Sequence, residues 1–293
     1  MKIVVTIPAF NEEKTIGEVI TEIKGVMDKT RFKYNLLIID DGSRDRTKEI
    51  AEKAGAIVFS HPINYGLAET FRTEMKKALE LNPDIIVHTD ADGQYLASDI
   101  PKLIKPIIEK KADIVLGSRF KGKIEKMPLI KRLGNKAFSR VISKITGTKI
   151  SDAQTGFRAF TKEIASMGIQ SDHTYTQEQI IKAIRNKFRL IEIPVYFAKR
   201  KDKSRLMKNP FDYAIKAWVN ILRVYRDYEP LRFFGYFGGI FILLGILVGM
   251  WILITLLKTG LVGGIPRVIL SALFIMTGVQ IILFGFLADM NRK

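Results

Sequence analysis

Short apolar runs alternate with amphipathic ones through the first third of the chain. Residues 3–7 form an apolar strand broken by Pro8, and beyond Ala9-Phe10-Asn11-Glu12-Glu13 the residues Ile16, Val19, Ile20 and Ile23 recur at helical spacing. The pattern repeats: residues 35–39 are apolar, end in Asp40-Asp41-Gly42-Ser43, and lead into a helix over 44–54 with Asp45 in its first turn. A third strand over 56–59, a third helix over 67–81 and a fourth strand over 85–89 follow. Such alternation predicts an α/β fold built on a mostly parallel, doubly wound sheet with right-handed crossovers. The acidic turns then share the carboxyl edge of the sheet, where ligands bind.

The pattern changes after residue 208. Phe211, Ala214, Ile215, Trp218, Ile221, Leu222 and Tyr225 lie on one helical face, and Asp212, Lys216, Asn220, Arg223 and Arg226 on the other. That is a helix suited to a membrane interface, and Trp218, Tyr225 and Tyr228 reinforce the reading. Residues 233–257 and 268–288 carry no charge and are each long enough to cross a bilayer. The expected division is a catalytic domain over 1–208, a juxtamembrane helix over 209–232 and a two-helix anchor over 233–293. Lys216, Arg223, Arg226 and Arg232 precede the spans and Arg292 and Lys293 follow them, against two basic residues in the connecting loop. The positive-inside rule therefore puts the catalytic domain and both termini in the cytoplasm, and the first apolar run is too short for a signal peptide. Gly235-x-x-x-Gly239 and Gly245-x-x-x-Gly249 have the spacing of helix-packing faces, a route to a homo-oligomer.

Charge sharpens this division. The net charge is +17, yet residues 234–293 hold four basic residues against one acidic, so the basic surface belongs to the polar part. It suits nucleic acid, anionic phospholipid or phosphorylated substrates. The absence of cysteine excludes disulfides, a thiolate nucleophile and a zinc–thiolate site. His61, His88 and His173 lack ligand spacing and are given no chemistry.

The candidate chemistry begins where the fourth strand runs into Asp90-Ala91-Asp92-Gly93-Gln94. Two carboxylates one residue apart repel unless a cation lies between them, and Gln94 completes an oxygen set suited to Mg²⁺ or Mn²⁺. With Asp41 on the same edge, a nucleotide would lie with its base near Asp41 and its diphosphate near Asp90 and Asp92. Neither G-x-G-x-x-G nor G-x-x-x-x-G-K-[ST] occurs, so metal and basic side chains must meet the diphosphate's charge. Arg119, following an apolar strand over 113–116, sits at the same edge and is a candidate anion contact.

Residues 7–13, 39–47, Asn64-x-Gly66 and Asp90-Ala91-Asp92-Gly93-Gln94 resemble the GT-A glycosyltransferases of family 2. Gly117-Ser118-Arg119-Phe120, Asp152-x-Gln154-Thr155-Gly156-Phe157-Arg158 and Arg200-x-x-x-Ser204-Arg205-Leu206 resemble its subgroup that makes dolichyl-phosphate sugars. The resemblance covers about residues 1–230. It implies a nucleotide-sugar pocket of Pro8, Phe10, Glu12, Ile39, Asp41, Asp90 and Ala91, with Asp90, Asp92 and Gln94 holding the metal. It implies phosphate contacts from Arg119, Arg200 and Ser204, and from Lys131, Arg132 or Asn135, in a stretch whose register the sequence leaves open. Asp92, Arg119 and Arg200 are the expected catalytic residues. Arg205 stands where Lys is common, and Ala68 where Gly is common; neither change removes a ligand.

The expected reaction moves one hexose from GDP-mannose, UDP-glucose or UDP-N-acetylglucosamine to dolichyl or polyprenyl phosphate in the bilayer, with inversion. A lipid phosphate with a second pKa of about 6 is already ionised at neutral pH and needs no general base. A hydroxyl acceptor would need one, and Glu178 stands where related transferases keep it. A processive polysaccharide synthase is the rival within the family, but this chain lacks the Gln-x-x-Arg-Trp motif. A membrane-tethered basic binding domain is the rival outside it. That rival leaves the ordered acidic motifs unexplained, and for the same reason nucleic acid is not an expected partner.

Overall fold

In the computed structural model of the protein, residues 1–170, 175–199, 210–262 and 264–291 are described. They divide into two compact units, Met1–Trp218 and Val219–Lys293.

Seven strands make one sheet in the first unit: β1 (Lys2–Ala9), β2 (Lys33–Asp40), β3 (Ile57–Ser60), β4 (Ile85–His88), β5 (Ile114–Ile124), β6 (Arg158–Thr161) and β7 (Leu190–Phe197), in the order β3-β2-β1-β4-β6-β5-β7. The helices between them are α1 (Ile16–Met27), α2 (Thr47–Lys53), α3 (Leu67–Glu80), α4 (Ile100–Ile108), α5 (Leu129–Thr146), α6 (Lys162–Ser166) and α7 (Tyr175–Arg185). β1 and β4 are buried almost throughout, as expected of central parallel strands, whereas edge strand β3 alternates between exposed and half-buried positions. Ile16, Ile20 and Ile23 of α1, Ala51 of α2 and Leu103, Ile104 and Ile107 of α4 join the main core on one face. α3 packs against β1 and β2 on the other.

The parallel β1–β4 half is as expected; the other half is not wholly parallel. β6 runs antiparallel to both β4 and β5, pairing His88 with Arg158 and Leu116 with Arg158. The reversal has a positional consequence. A strand entering the sheet this way begins at the edge where its neighbours end, so residues 152–157 lie beside the acidic loop after β4 instead of across the sheet from it. β5 is also longer than the expected 113–116 and pairs with β7 beyond Arg119, after a register shift between Ser118 and Lys123. Polar residues hid this extension.

Three helices follow: α8 (Pro210–Tyr228), α9 (Pro230–Thr259) and α10 (Ile265–Met290). α9 and α10 are long and apolar enough to cross a membrane, and their apolar side chains are mostly exposed. Their contact is made by small residues at seven-residue spacing. A Cβ on Gly238 would lie 2.6 Å from the Gly278 carbonyl, one on Gly245 2.9 Å from the Ser271 carbonyl, and Ser271 Oγ donates to the Gly245 carbonyl at 2.8 Å. Of the four glycines at the expected spacing, Gly245 and Gly249 approach the other helix within the chain, while Gly235 and Gly239 look into open space. Of the apolar face expected on α8, Ile215 and Trp218 are exposed; the side chains of Phe211 and Ala214 lie outside those described.

Candidate active site

The loops after β1 and β2 are laced together. Asn11, at a φ of 53°, donates its N–H to Ser43 Oγ at 2.8 Å and accepts from Arg44 N at 2.8 Å through its side chain. Glu12 N donates to Thr47 Oγ1 at 2.8 Å and Glu13 N to Asp45 Oδ2 at 3.3 Å. The Gly-Ser-x-Asp-x-Thr part of the motif therefore stitches the two loops into one surface. Pro8 and Ile39 are buried at the strand ends, Phe10 is exposed, and Glu12 is half-buried with Oε2 accepting from Thr15 Oγ1 at 3.2 Å.

Asp41 is buried and held by three donors: His61 Nδ1 at 2.8 Å, Tyr65 N at 2.9 Å and Gly66 N at 2.9 Å. His61 Nε2 in turn meets Thr73 Oγ1 at 2.9 Å. Asp41 thus fixes the loop leading into α3 while its Oδ2 keeps one lone pair for another donor. His61, assigned no chemistry from sequence, is the brace of this carboxylate; its signal was its position just past β3, at the same sheet edge as Asp41. His88 lies buried inside the unit, with Nδ1 2.6 Å from Glu74 Oε1.

Asp90 and Asp92 are part-exposed on the loop after β4, and Ala91 between them is buried in the core. Gly156, from the lead-in to β6, packs beneath Asp90 so closely that a Cβ there would lie 2.8 and 2.9 Å from the two carboxylate oxygens. Asp92 Oδ1 accepts from Gln94 N at 3.1 Å. Gln94 spends its amide Nε2 on the Ala198 carbonyl at 3.0 Å, so Oε1 is the atom it offers a cation. No group of three or more His, Asp or Glu converges among the described residues. Two carboxylates and an amide oxygen fit a hard divalent ion that completes its shell from a diphosphate and water, and do not fit a closed protein site.

Arg119 is almost wholly buried and clamped side-on by Asp152, with Nε and Nη2 each 2.7 Å from a carboxylate oxygen and its backbone N–H 3.1 Å from one of them. Burial opposes its charge, but Tyr95, Asp152 and Asp90 outweigh burial and raise its pKa above the ordinary guanidinium value. Asp152 is itself placed by Glu192 of β7, which accepts from Ser151 N at 2.8 Å and Asp152 N at 3.0 Å. Oriented to satisfy its neighbours, the Asn135 amide accepts from Arg119 Nη2 at 3.2 Å and donates to the Lys131 carbonyl at 3.2 Å and to Gln154 Oε1. Nη1 keeps its donors without a partner among the described residues.

Of the three α5 residues expected at the acceptor phosphate, only Asn135 reaches Arg119 with its side chain; Lys131 meets Asn135 through its carbonyl and Arg132 is exposed. Arg200 and Ser204 lie outside the described residues. Sequence reasoning missed Asp152, Gly156 and Glu192 as parts of the site. A glutamate in the apolar strand Leu-Ile-Glu-Ile was the available signal for Glu192.

The sequence pattern described as glycosyl transferase family 2 matches residues 4–167. A UDP-N-acetylglucosamine–dolichyl-phosphate N-acetylglucosaminyltransferase of Methanococcus voltae is 35% identical over 213 residues, covering 64% of this chain and 82% of that one. A dolichyl-phosphate hexose transferase of Haloferax volcanii is 32% identical over 232 residues, covering 78% and 95%. Glucosyl-3-phosphoglycerate synthase of Mycobacterium tuberculosis, solved with Mn²⁺, UDP and glucosyl-3-phosphoglycerate, superimposes with a TM-score of 0.60 at 18% identity over 75% of this chain and 79% of that one. That likeness is one of fold, the mixed sheet of the GT-A type.

Proposed function

As the chain belongs to glycosyl transferase family 2, the matched pattern spanning more than half of it, we propose that it moves one hexose from a nucleotide sugar to the phosphate of a polyprenyl lipid such as dolichyl phosphate. The observation that carries the phosphate acceptor is the state of Glu178. This carboxylate, where a hydroxyl-accepting relative would need its base, is buried, ion-paired with Lys182 at 2.7 Å and bonded to Gln170 N at 2.7 Å. It is spent on holding α7. A phosphate oxygen needs no base: it forms the new bond to the anomeric carbon as the bond to the diphosphate breaks, and the nucleoside diphosphate leaves with the electron pair.

The protein's work is then positional and electrostatic. The stitched loops after β1 and β2 hold the nucleotide, with Phe10 against the base and Glu12 and Asp41 toward base or ribose. Arg119, its outer edge locked by Asp152, presents Nη1 to phosphate. Asp90, Asp92 and Gln94 would hold Mg²⁺ or Mn²⁺, whose charge makes the diphosphate a better leaving group. Single displacement inverts the anomeric centre, so an α-linked donor yields a β-linked product. The anchor helices and the basic flank before them support a catalytic unit on the cytoplasmic face of the membrane. Incubating membranes that contain the protein with labelled GDP-mannose, UDP-glucose and UDP-N-acetylglucosamine, each with dolichyl phosphate, tests the reading: one donor should label the lipid fraction. Label in none of the three would overturn it.

A further inference from the structure

We infer that Arg158 is an internal counter-charge to Asp90 and Asp92, keeping the acidic loop poor at taking a divalent ion alone and ready to take one together with a diphosphate. Arg158 opens β6, and no part of it is exposed. Its guanidinium meets only neutral acceptors: Nη1 donates to the Thr176 carbonyl at 3.1 Å and to Gln179 Oε1 at 3.0 Å on α7, and Nη2 donates to the Thr155 carbonyl. It forms no ion pair among the described residues. Its register partner on β4, His88, is taken by Glu74 at 2.6 Å. A cation this deep usually has a carboxylate beside it. Arg119, also buried, has Asp152 at 2.7 Å.

The charge that Arg158 does face is that of the acidic loop. The Thr155 carbonyl leads into Gly156, which packs beneath Asp90, so bond and contact lengths place the guanidinium within about 10 Å of the Asp90 carboxylate. Burial lowers the pKa of Arg158, and Asp90 and Asp152 are the carboxylates that oppose the shift. Asp152 is already matched by Arg119, which leaves Asp90. A fixed positive charge at this range repels a divalent ion and attracts an anionic diphosphate. Here the inference rests on the proposed metal role of Asp90, Asp92 and Gln94. Without Arg158 the two carboxylates would hold the ion tightly whether or not a donor was bound; with it, the hold depends on the negative charge that the diphosphate brings.

Gln179→Glu tests this with the guanidinium left in place, since the new carboxylate accepts the same Nη1 bond and neutralises Arg158. With the full chain in detergent, Mn²⁺ binding without nucleotide is read from loss of the free-ion paramagnetic resonance signal, and UDP and GDP binding in EDTA by calorimetry. Opposite signs are expected: Mn²⁺ alone should bind about threefold or more tighter, and the nucleotide that the protein accepts about threefold or more weaker. Arg158→Met should give the same pair of signs; if either variant fails to fold by circular dichroism, the other carries the test. Gln179→Leu removes the acceptor without adding charge and should not produce opposite signs. Weakening of both ligands by Gln179→Glu would make Arg158 a structural fastener and overturns the inference, as does no change in either. A full chain that takes no Mn²⁺, with or without nucleotide, overturns the inference together with the metal. Neither readout uses acceptor lipid, so transfer to dolichyl phosphate stands or falls separately.

Discussion

At the scale of single residues, the site divides into groups that meet substrate and groups that hold them. Asp92→Asn should abolish transfer with the fold intact by circular dichroism, and excess chelator should do the same to the unaltered protein, because the remaining oxygen ligands cannot hold a hard cation on a diphosphate. Full turnover in EDTA would remove the metal from the account. Gly156→Ala is the sharper probe, since its Cβ would meet both Asp90 oxygens and displace the carboxylate without touching substrate. Turnover about a hundredfold lower in a folded protein is expected, the usual cost of misplacing a group by about 1 Å. Glu178→Gln should keep most turnover and lose about 1–3 kcal/mol of stability, read by chemical denaturation, because a buried partner of Lys182 and Gln170 N is weakened. A loss of several orders of magnitude in turnover, with donor binding intact, would make Glu178 a base. The place of Asp90, Asp92 and Gln94 at the sheet edge was legible in the sequence because an apolar strand running into acids marks such an edge. Asp152 and Gly156 were legible only as parts of a motif, since their roles come from a strand reversal that apolar patterning does not record.

At the scale of elements, the early strands and helices could be placed because hydrophobic period follows burial there. β5 beyond Arg119 could not, because Lys121-Gly122-Lys123 breaks the apolar period before the strand pairs again with β7 through Lys123–Tyr196 and Ile124–Phe197. The start of this pairing is fastened by Arg189, which donates to Asp113 through Nε at 3.0 Å and Nη2 at 2.8 Å and so holds the Asp113 carboxyl below its ordinary value. A depressed carboxyl contributes stability above its unfolded pKa of about 4 and loses it as pH falls through the lower folded value. Acid unfolding of Arg189→Ala should therefore show a smaller loss of stability below pH ~4 than the unaltered protein, an equal loss contradicting the assignment. In the anchor, glycine spacing was visible but the face was not. Gly238→Ala and Gly278→Ala should each lower the melting temperature of the α9–α10 pair in detergent, by overpacking worth about 1–3 kcal/mol, while Gly235→Ala and Gly239→Ala leave it unchanged.

At the scale of the molecule, chemistry and anchorage occupy different stretches of chain. Every candidate site residue precedes Phe211, and the second compact unit begins at Val219. A chain ending near Tyr228 should therefore still bind nucleotide and metal, and should lose transfer to long-chain polyprenyl phosphate far more than to a short, water-soluble analogue. A folded truncation that cannot bind nucleotide would show that the anchor helps build the site. The two long apolar helices were readable from charge and hydropathy alone, because a bilayer demands an uncharged run of that length. The donor was not, since base and sugar are recognised by contacts that leave no spacing in the sequence. The acceptor's chemistry is the central claim, and one measurement addresses it: the purified full chain, given labelled donor with dolichyl phosphate or with dolichol, and the lipid product analysed for linkage and sugar count. A single β-linked sugar on dolichyl phosphate, with none on dolichol, is the result expected; label on dolichol, or a polymer of sugars on either lipid, would contradict it.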